Sequence, residues 1–158
     1  MARFLRRGTT RFYWVPTIAS AALVPTTAEV TAGTRLDSQL NEVAGFTFGN
    51  NPINAPDFLT TFVGQVAGED TSEDSSLTFY EDTVTNPIRT LLAKGASGYI
   101  FILKAGTAGA NPAAGDKGDT WPVSVGSNAP IYTADNETAK YMVRFINTAR
   151  PAADVTMT

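Results

Sequence analysis

The apolar residues of this chain fall mostly in short runs that clusters of Gly, Pro, Asn and Asp separate, a pattern typical of β-strands joined by turns. Residues 76–81 and 139–146 alternate apolar and polar positions, which predicts strands with one buried face. Residues 58–66 are apolar on both faces, which predicts a strand buried on both sides. The remaining predicted strands are 11–15, 42–48, 99–104, 121–125 and 131–132.

One segment, residues 86–95, has helix signals instead. Asn86 suits the N-cap, Pro87 the first helical position and Gly95 the C-cap. The apolar side chains of this segment recur at i, i+3 and i+4 and form one face. We expect that face to pack on the outer face of the sheets; its members are Ile88, Leu91 and Leu92.

These elements predict a mainly β fold, a β-sandwich or partly closed barrel with one flanking short α-helix. Residues 25–33 add one helical turn, with Thr26 or Thr27 as N-cap and Gly33 at its end. The 158 residues suit a single domain. We place an N-terminal arm at residues 1–10, the domain at 11–150 and a C-terminal tail at 151–158. No apolar run is long enough to span a membrane.

The composition removes most catalytic chemistries. The chain has no histidine and no cysteine. Thiolate nucleophiles, disulfides, His or Cys zinc sites and a Ser-His-Asp triad are therefore excluded. We predict a protein that is not an enzyme and has no cofactor.

The charges are unevenly distributed. The first eleven residues carry four arginines and no acid, and the remainder carries 8 basic and 15 acidic residues. An acidic body argues against tight nucleic-acid binding. A basic arm on an acidic body suggests docking on another copy's acidic surface, but charge alone favours an ordinary solvated tail. The arginines of the arm are Arg3, Arg6 and Arg7.

Residues 69–82 contain six acids and no basic residue. A calcium loop that starts at Asp70 would place Ser75 where the sixth position requires glycine, and its flanks are strands. A pair of catalytic carboxylates would need a cleft, whereas this segment is a polar loop. We therefore favour a solvated acidic hairpin, with calcium binding and acid–base chemistry as alternatives.

Two further patterns are weak. The Gly- and Ala-rich residues 105–118 lack the Gly-Lys-Ser/Thr ending of a phosphate-binding loop, because Lys117 precedes Gly118. Trp14 and Trp121 offer sugar-stacking platforms, but aromatic residues in sheets are more often buried. Neither pattern defines an active site.

The order of elements resembles a known family. An aromatic first strand precedes the segments 29–37 (EVTAGTRLD) and 42–47 (EVAGFT). An acidic hairpin loop and residues 76–82 (SLTFYED) follow, and a short helix then leads into 98–102 (GYIFI) and a long last strand. Over residues 10–148, this arrangement resembles the tail tube (major tail) proteins of long-tailed, non-contractile bacteriophages.

The resemblance implies a structural protein of the virion tail. Six copies would form a ring whose inner sheets join into one barrel, and rings would stack into a tube that conducts DNA to the host. Its partners would be further copies and the tail proteins at the tube ends, with DNA passing through the lumen unbound. An acidic lumen would repel the DNA phosphates. The alternatives are a surface β-sandwich module that binds carbohydrate or a host receptor, and a small hydrolase that uses the loop carboxylates.

Two surfaces are candidate contacts between copies. The acidic loop at residues 68–75 is predicted to mediate ring stacking against Arg35, Arg89 or Arg144 of a neighbour. The N-terminal arm is predicted to dock on a neighbouring subunit. The contact residues expected are Glu69, Asp70, Glu73, Asp74, Arg3, Arg6 and Arg7.

Overall fold

A computed structural model describes residues 3–105 and 111–158. Within these ranges it contains two short helices, α1 (Thr27–Ala32) and α2 (Pro87–Leu91), and twelve strands. The strands are β1 (Arg11–Val15), β2 (Thr34–Arg35), β3 (Leu40–Ala44), β4 (Phe48–Asn50), β5 (Ile53–Ala55), β6 (Gly64–Val66), β7 (Asp70–Ser72), β8 (Ser75–Tyr80), β9 (Ser97–Leu103), β10 (Lys117–Ile131), β11 (Lys140–Asn147) and β12 (Ala152–Thr156).

One antiparallel sheet with the order β2-β1-β9-β10-β11-β8-β3 forms the body, and β12 joins it alongside β10. The first half of β10 pairs with β9 and β12, whereas the second half pairs with β11. A register irregularity between Val125 and Ser127 separates the two halves, and such bulges bend a strand. The two halves of the sheet share one core, which confirms the predicted mainly β, sandwich-like fold.

Aromatic side chains dominate the main core. Trp14 of β1 lies 6.5 Å from Phe145 of β11, and Phe79 of β8 stacks on Tyr141 at 5.4 Å between ring centroids. Burial raises the pKa of the Tyr141 hydroxyl to about 12. A second, smaller core contains α1 and β12, where Val30 and Met157 pack with residues of β1 and β9. Residues 152–156, which the sequence placed in a tail, thus form a strand.

The first helix confirms its predicted caps. Thr26 is the N-cap and Gly33 the C-cap. The Thr26 hydroxyl accepts a hydrogen bond from the Glu29 amide at 3.2 Å, and the Glu29 carboxylate accepts one from the Thr26 amide at 2.8 Å. The same carboxylate accepts the Ala19 amide at 2.8 Å. These backbone hydrogen bonds lower the pKa of Glu29.

The second helix is shorter than predicted, and Leu91 does not belong to its buried apolar face. The helix ends at Leu91, and Leu92 is its C-cap. Leu92 is fully buried, whereas Leu91 is 38% exposed. The chain leaves the helix early because the Gly95 amide donates to the Val125 carbonyl at 2.9 Å, which aligns residues 95 and 96 with β10.

The predicted N-cap Asn86 makes no capping hydrogen bond. Its side chain instead exchanges two hydrogen bonds, both of 2.8 Å, with the backbone of Asp82. An Asn side chain that bonds to nearby backbone groups stabilises a turn. Asn86 therefore orders the connection between β8 and α2.

The predicted strands differ most from the structure over residues 42–66. The predicted strand 42–48 is interrupted, because Gly45 and Phe46 both have positive φ, at 77° and 58°. The predicted buried strand 58–66 is wrong: only residues 64–66 are in a strand, and the apolar side chains before them are exposed. In contrast, the pieces 121–125 and 131–132 belong to one strand that ends at Ile131, and the predicted strands 76–81 and 139–146 are confirmed within a residue.

Truncating Leu92 should destabilise the fold, whereas truncating its neighbour should not. We expect Leu92→Ala to lower the free energy of unfolding by about 2–5 kcal/mol, because it leaves a cavity in the main core. The matched variant Leu91→Ala should cost less than about 1 kcal/mol. Urea denaturation of the unassembled chains measures both values, and equal losses would contradict the burial described above.

The Glu29 cap should make stability depend on pH. A carboxyl group whose folded pKa lies below its unfolded value stabilises the fold above the unfolded pKa, and this contribution disappears as the pH falls through the folded pKa. The parent should therefore be more stable than Glu29→Gln at pH 7, by about 1 kcal/mol or less. The difference should shrink as the pH falls below the ordinary value of 4.5. A difference that stays constant from pH 7 to pH 3 in thermal melts would contradict this role.

Candidate assembly surfaces

Four neighbouring strands of the sheet form an antiparallel surface in the order β10-β11-β8-β3. This surface is continuous with β9 through the first half of β10. Among the described residues, β3 pairs only with β8, and residues 127–131 of β10 pair only with β11. Pro130 lies in this part of β10, and proline within sheets is mostly confined to edges. This four-stranded sheet therefore has two open edges, each presenting unpaired backbone groups.

The outward face of the four-stranded sheet has mostly small or neutral side chains. The strand registers place alternate residues on this face. Its charged members are Glu42, Arg144 and Lys140, and Lys140 pairs with Glu137 at 2.7 Å. The other side chains on this face are Ala44, Ser76, Thr78, Tyr80, Ser127, Ala129, Ile131, Met142 and Ile146.

Residues 48–72 leave the body as a long β-arm. A Cβ atom at Gly45 would overlap the backbone of Asp74 and Ser75, so the turn into the arm requires glycine. The ring of Phe46 lies 5.4 Å from that of Trp121 and the ring of Phe48 lies 5.0 Å from it, between centroids. The short ladders β4–β7 and β5–β6 follow one another outward from this aromatic base.

The tip of the β-arm, residues 56–63, exposes large apolar side chains. Phe58 and Leu59 are almost fully exposed, Phe62 is largely exposed and Val63 is about half exposed. The Asp57 carboxylate accepts the amides of Leu59 and Thr60 at 2.8 and 2.9 Å. This Asx turn orders the tip backbone, so the apolar side chains are presented on a structured loop.

The exposed tip explains why the apolar pattern of residues 58–66 wrongly predicted a buried strand. Apolar residues on both faces of 58–66 are normally buried within one domain. Pro56 and Asp57 mark a turn at the start of this segment, and they were the signal against a continuous strand. Exposed contiguous apolar surface of this kind marks a protein interaction site.

The acidic residues selected from the sequence lie at the base of the β-arm. Asp70 is in β7, and its carboxylate contacts Arg150 at 3.4 Å. No ion pair with a described residue is present at Glu69, Glu73 or Asp74. Within the described ranges, no group of three or more His, Cys, Asp or Glu side chains is arranged to hold a metal ion.

Two of the three cations proposed as counter-charges are already paired within the chain. Arg35 binds Asp37 with two hydrogen bonds of 2.6 and 2.7 Å, and this raises the pKa of Arg35. Arg89 binds Glu81 at 2.5 Å. Arg144 is exposed on the outward face of the four-stranded sheet, with no ion pair to a described residue.

The described part of the N-terminal arm is exposed and has mixed character. Arg3, Arg6 and Arg7 extend into solvent, as do the side chains of Phe4 and Leu5. Arg11, by contrast, is buried on β1 near Asp37, at 3.9 Å. The arm thus combines three available cations with two apolar side chains.

The remaining candidates do not form sites. Trp14 and Trp121 are buried, so the interpretation as sugar platforms is wrong and the expected burial in the sheet is confirmed. Part of the Gly- and Ala-rich loop, residues 106–110, lies outside the described residues. Over the described ranges, neither helix is long and apolar enough to cross a membrane.

The whole chain, residues 1–158, matches the family model of the phage tail tube proteins. The protein belongs to this family and is accordingly a structural component of a tail tube. The comparison with curated protein sequences found no match.

Solved structures from tube assemblies have the same fold. One is an extracellular contractile injection system, the PVC sheath/tube terminator in the extended state: TM-score 0.66, 12% identity, 95% of this chain and 96% of that chain covered. A second is the PVC sheath-tube complex in the extended state, at TM-score 0.57 and 14% identity, covering 90% and 86%. A third is the six-fold symmetrised baseplate of the anti-feeding prophage, at TM-score 0.60 and 7% identity, covering 97% and 98%.

Proposed function

We propose that copies of this chain associate into closed rings and that the rings stack into the tail tube of a phage virion. The rings contain six copies, and the tube conducts DNA into the host. Other tail proteins bind the two ends of the tube. The six-fold symmetry named for the anti-feeding prophage baseplate supports the ring size. The resemblance to long-tailed, non-contractile phages supports the tail type, although the neighbouring folds come from contractile systems.

The observation that carries this proposal is the four-stranded sheet with two open edges. Its strands alternate in direction, because every neighbouring pair is antiparallel. With an even number of strands, β3 of one copy and β10 of the next run antiparallel when the copies are placed side by side. Such a contact joins two different edges, and head-to-tail contacts of this kind close into rings. When the ring closes, both sheet edges of every copy are hydrogen-bonded to a neighbouring copy.

The outward face of this sheet then becomes the wall of the lumen. With Glu42 as its one carboxylate and with Lys140 and Arg144 as its cations, this proposed wall is nearly neutral, whereas the sequence led us to expect an acidic lumen. DNA affinity depends on the number of Lys and Arg contacts to phosphate. A wall of Ser, Thr, Ala and Met side chains offers few such contacts, so DNA slides along it.

The β-arm provides the second contact. Its tip exposes Phe58 and Leu59 almost entirely, most of Phe62 and about half of Val63. Burying one Phe side chain contributes roughly 1.5–3 kcal/mol. In an assembly, the β-arm tip packs on another copy, and its exposure in the isolated chain disappears.

Removing the apolar tip should prevent assembly without unfolding the chain. We expect Phe58→Ser with Phe62→Ser to weaken each contact by about 100-fold or more, from the burial energy of two Phe side chains. The matched control is Val84→Ser with Tyr132→Ser, which removes two exposed apolar side chains outside the β-arm.

Negative-stain microscopy and analytical ultracentrifugation at equal concentration measure this effect. Tubes or rings should form with the parent and the control but not with the tip variant, and all three chains should melt at similar temperatures. Normal tubes from the tip variant would exclude the role of the β-arm. Parent chains that stay monomeric at every concentration would exclude the proposed function.

A further inference from the structure

A groove lies where the base of the β-arm meets the corner between β11 and β12. It has a volume of about 270 Å³, and Phe48 and Pro151 contribute apolar surface to it. Asp70 and Arg150 line the same groove. A cavity of about 150 Å³ accommodates one benzene molecule, so the groove has room for a phenyl ring.

One side-chain oxygen in the groove, Oδ1 of Asn147, lacks a hydrogen-bond partner among the described residues. The Asn147 amide nitrogen donates to the Ser72 hydroxyl at 2.8 Å and to the Glu73 carbonyl at 3.3 Å. These contacts fix the amide, and its Oδ1 atom is buried with no partner among the described residues. Since leaving a buried acceptor unpaired is costly, this atom favours an occupant that brings an N–H donor.

The surroundings of the groove are acidic. Asp70 is paired with Arg150, but Glu69, Glu73 and Asp74 are adjacent in sequence and make no ion pair with a described residue. Of the three expected counter-charges, Arg35 and Arg89 are committed to their own carboxylates, and Arg144 lies on the outward face of the four-stranded sheet without an ion pair to these acids. The acidic base of the β-arm therefore attracts cations from outside the described body.

We propose that this groove binds the N-terminal arm of a second copy, a step that rests on the proposed function. The arm supplies what the groove lacks: three arginines for the acids, N–H donors for Asn147, and the exposed Phe4 and Leu5 for the apolar surface beside Phe48. Because the arm and the groove are different surfaces, the contact is head-to-tail and repeats in an open or closed series.

The position of the N-terminal arm relative to the groove favours docking on a second copy over docking on its own chain. The arm enters the fold at Arg11, which pairs with Leu103, and Leu103 pairs with Gly118 of β10. Asn147 pairs with Val123, five residues further along β10. At about 3.3 Å per residue this separation is roughly 17 Å along the strand. Because β1 runs in the same direction as β10, the arm enters β1 from the end of the sheet that lies away from Asn147. In the described chain, the arm residues are exposed and lie outside this groove.

Disulfide trapping tests the contact directly, since the chain has no native cysteine. The test variant combines Arg3→Cys with Ala149→Cys, which places one thiol on the arm and one at the groove and leaves Phe4 and Leu5 in place. The controls are each single variant and Arg3→Cys with Tyr132→Cys, which moves the second thiol to an exposed position elsewhere. Oxidised samples are separated without reductant, and the same samples are examined for tubes.

We expect a ladder of covalent multimers from the test variant and only background dimers from the controls. The ladder should weaken when Arg6→Glu and Arg7→Glu are added, and it should weaken in 1 M salt, where the screening length falls to about 3 Å. A crosslink confined to monomers would overturn the second copy as the occupant. Tubes without a ladder would overturn the docking but leave the proposed function intact, whereas monomers without tubes or ladder would overturn both.

Discussion

Unpaired backbone groups at the edges of the four-stranded sheet are the constraint on which this protein depends. Every second residue of an antiparallel edge strand leaves both its N–H and its C=O group available, and proteins cover, charge or pair such edges to prevent aggregation. Here β3 has one charged residue, Glu42, and residues 127–131 of β10 have none. Pro130 removes one backbone donor from the β10 edge, and β3 has a register irregularity between Leu40 and Glu42. The remaining edge groups meet almost no charge that would oppose pairing, as expected if another copy of the chain completes the sheet.

The apolar residues fall into two groups, those buried within one chain and those left exposed for contacts between copies. The core side chains, such as Trp121 and Phe145, are buried within one chain and stabilise the monomer. The side chains at the β-arm tip and in the N-terminal arm are exposed, although they are equally apolar. A chain with 17% charged residues has limited polar surface to spare, so contacts between copies are a direct way to remove the remaining apolar surface from water.

The sequence predicted the fold correctly where the residues of an element are buried or hydrogen-bonded within the same chain. Strands β8 and β11 alternate cleanly because one of their faces is buried in the same domain, and Thr26 and Glu29 form a local cap that sequence alone identifies. Leu91 was misassigned because the chain turns at Leu92 to reach β10, a tertiary requirement that a helical period does not contain. Phe58 and Phe62 were misassigned because burial against another molecule has the same pattern as burial within the chain.

The residues proposed to join the copies were predictable only in part. Charge identified the arginines of the N-terminal arm and the acids of residues 69–74 as unusual, since each cluster lacks local counter-charges. Their spatial context was not predictable, because it depends on Asn147, Phe48 and Arg150, which come from separate strands and corners. The open edges of β3 and β10 were also invisible in sequence, since edge and central strands can share the same residues.

Hydrogen–deuterium exchange of assembled protein tests the central claim most directly. If a second copy pairs with each edge, amides in residues 40–44 and 127–131 should exchange more slowly in tubes than in the monomeric tip variant. Amides of α1, whose hydrogen bonds lie within one chain, should exchange at similar rates in both samples. Tubes in which both edge segments exchange as fast as in the monomer would contradict pairing of the sheet across copies.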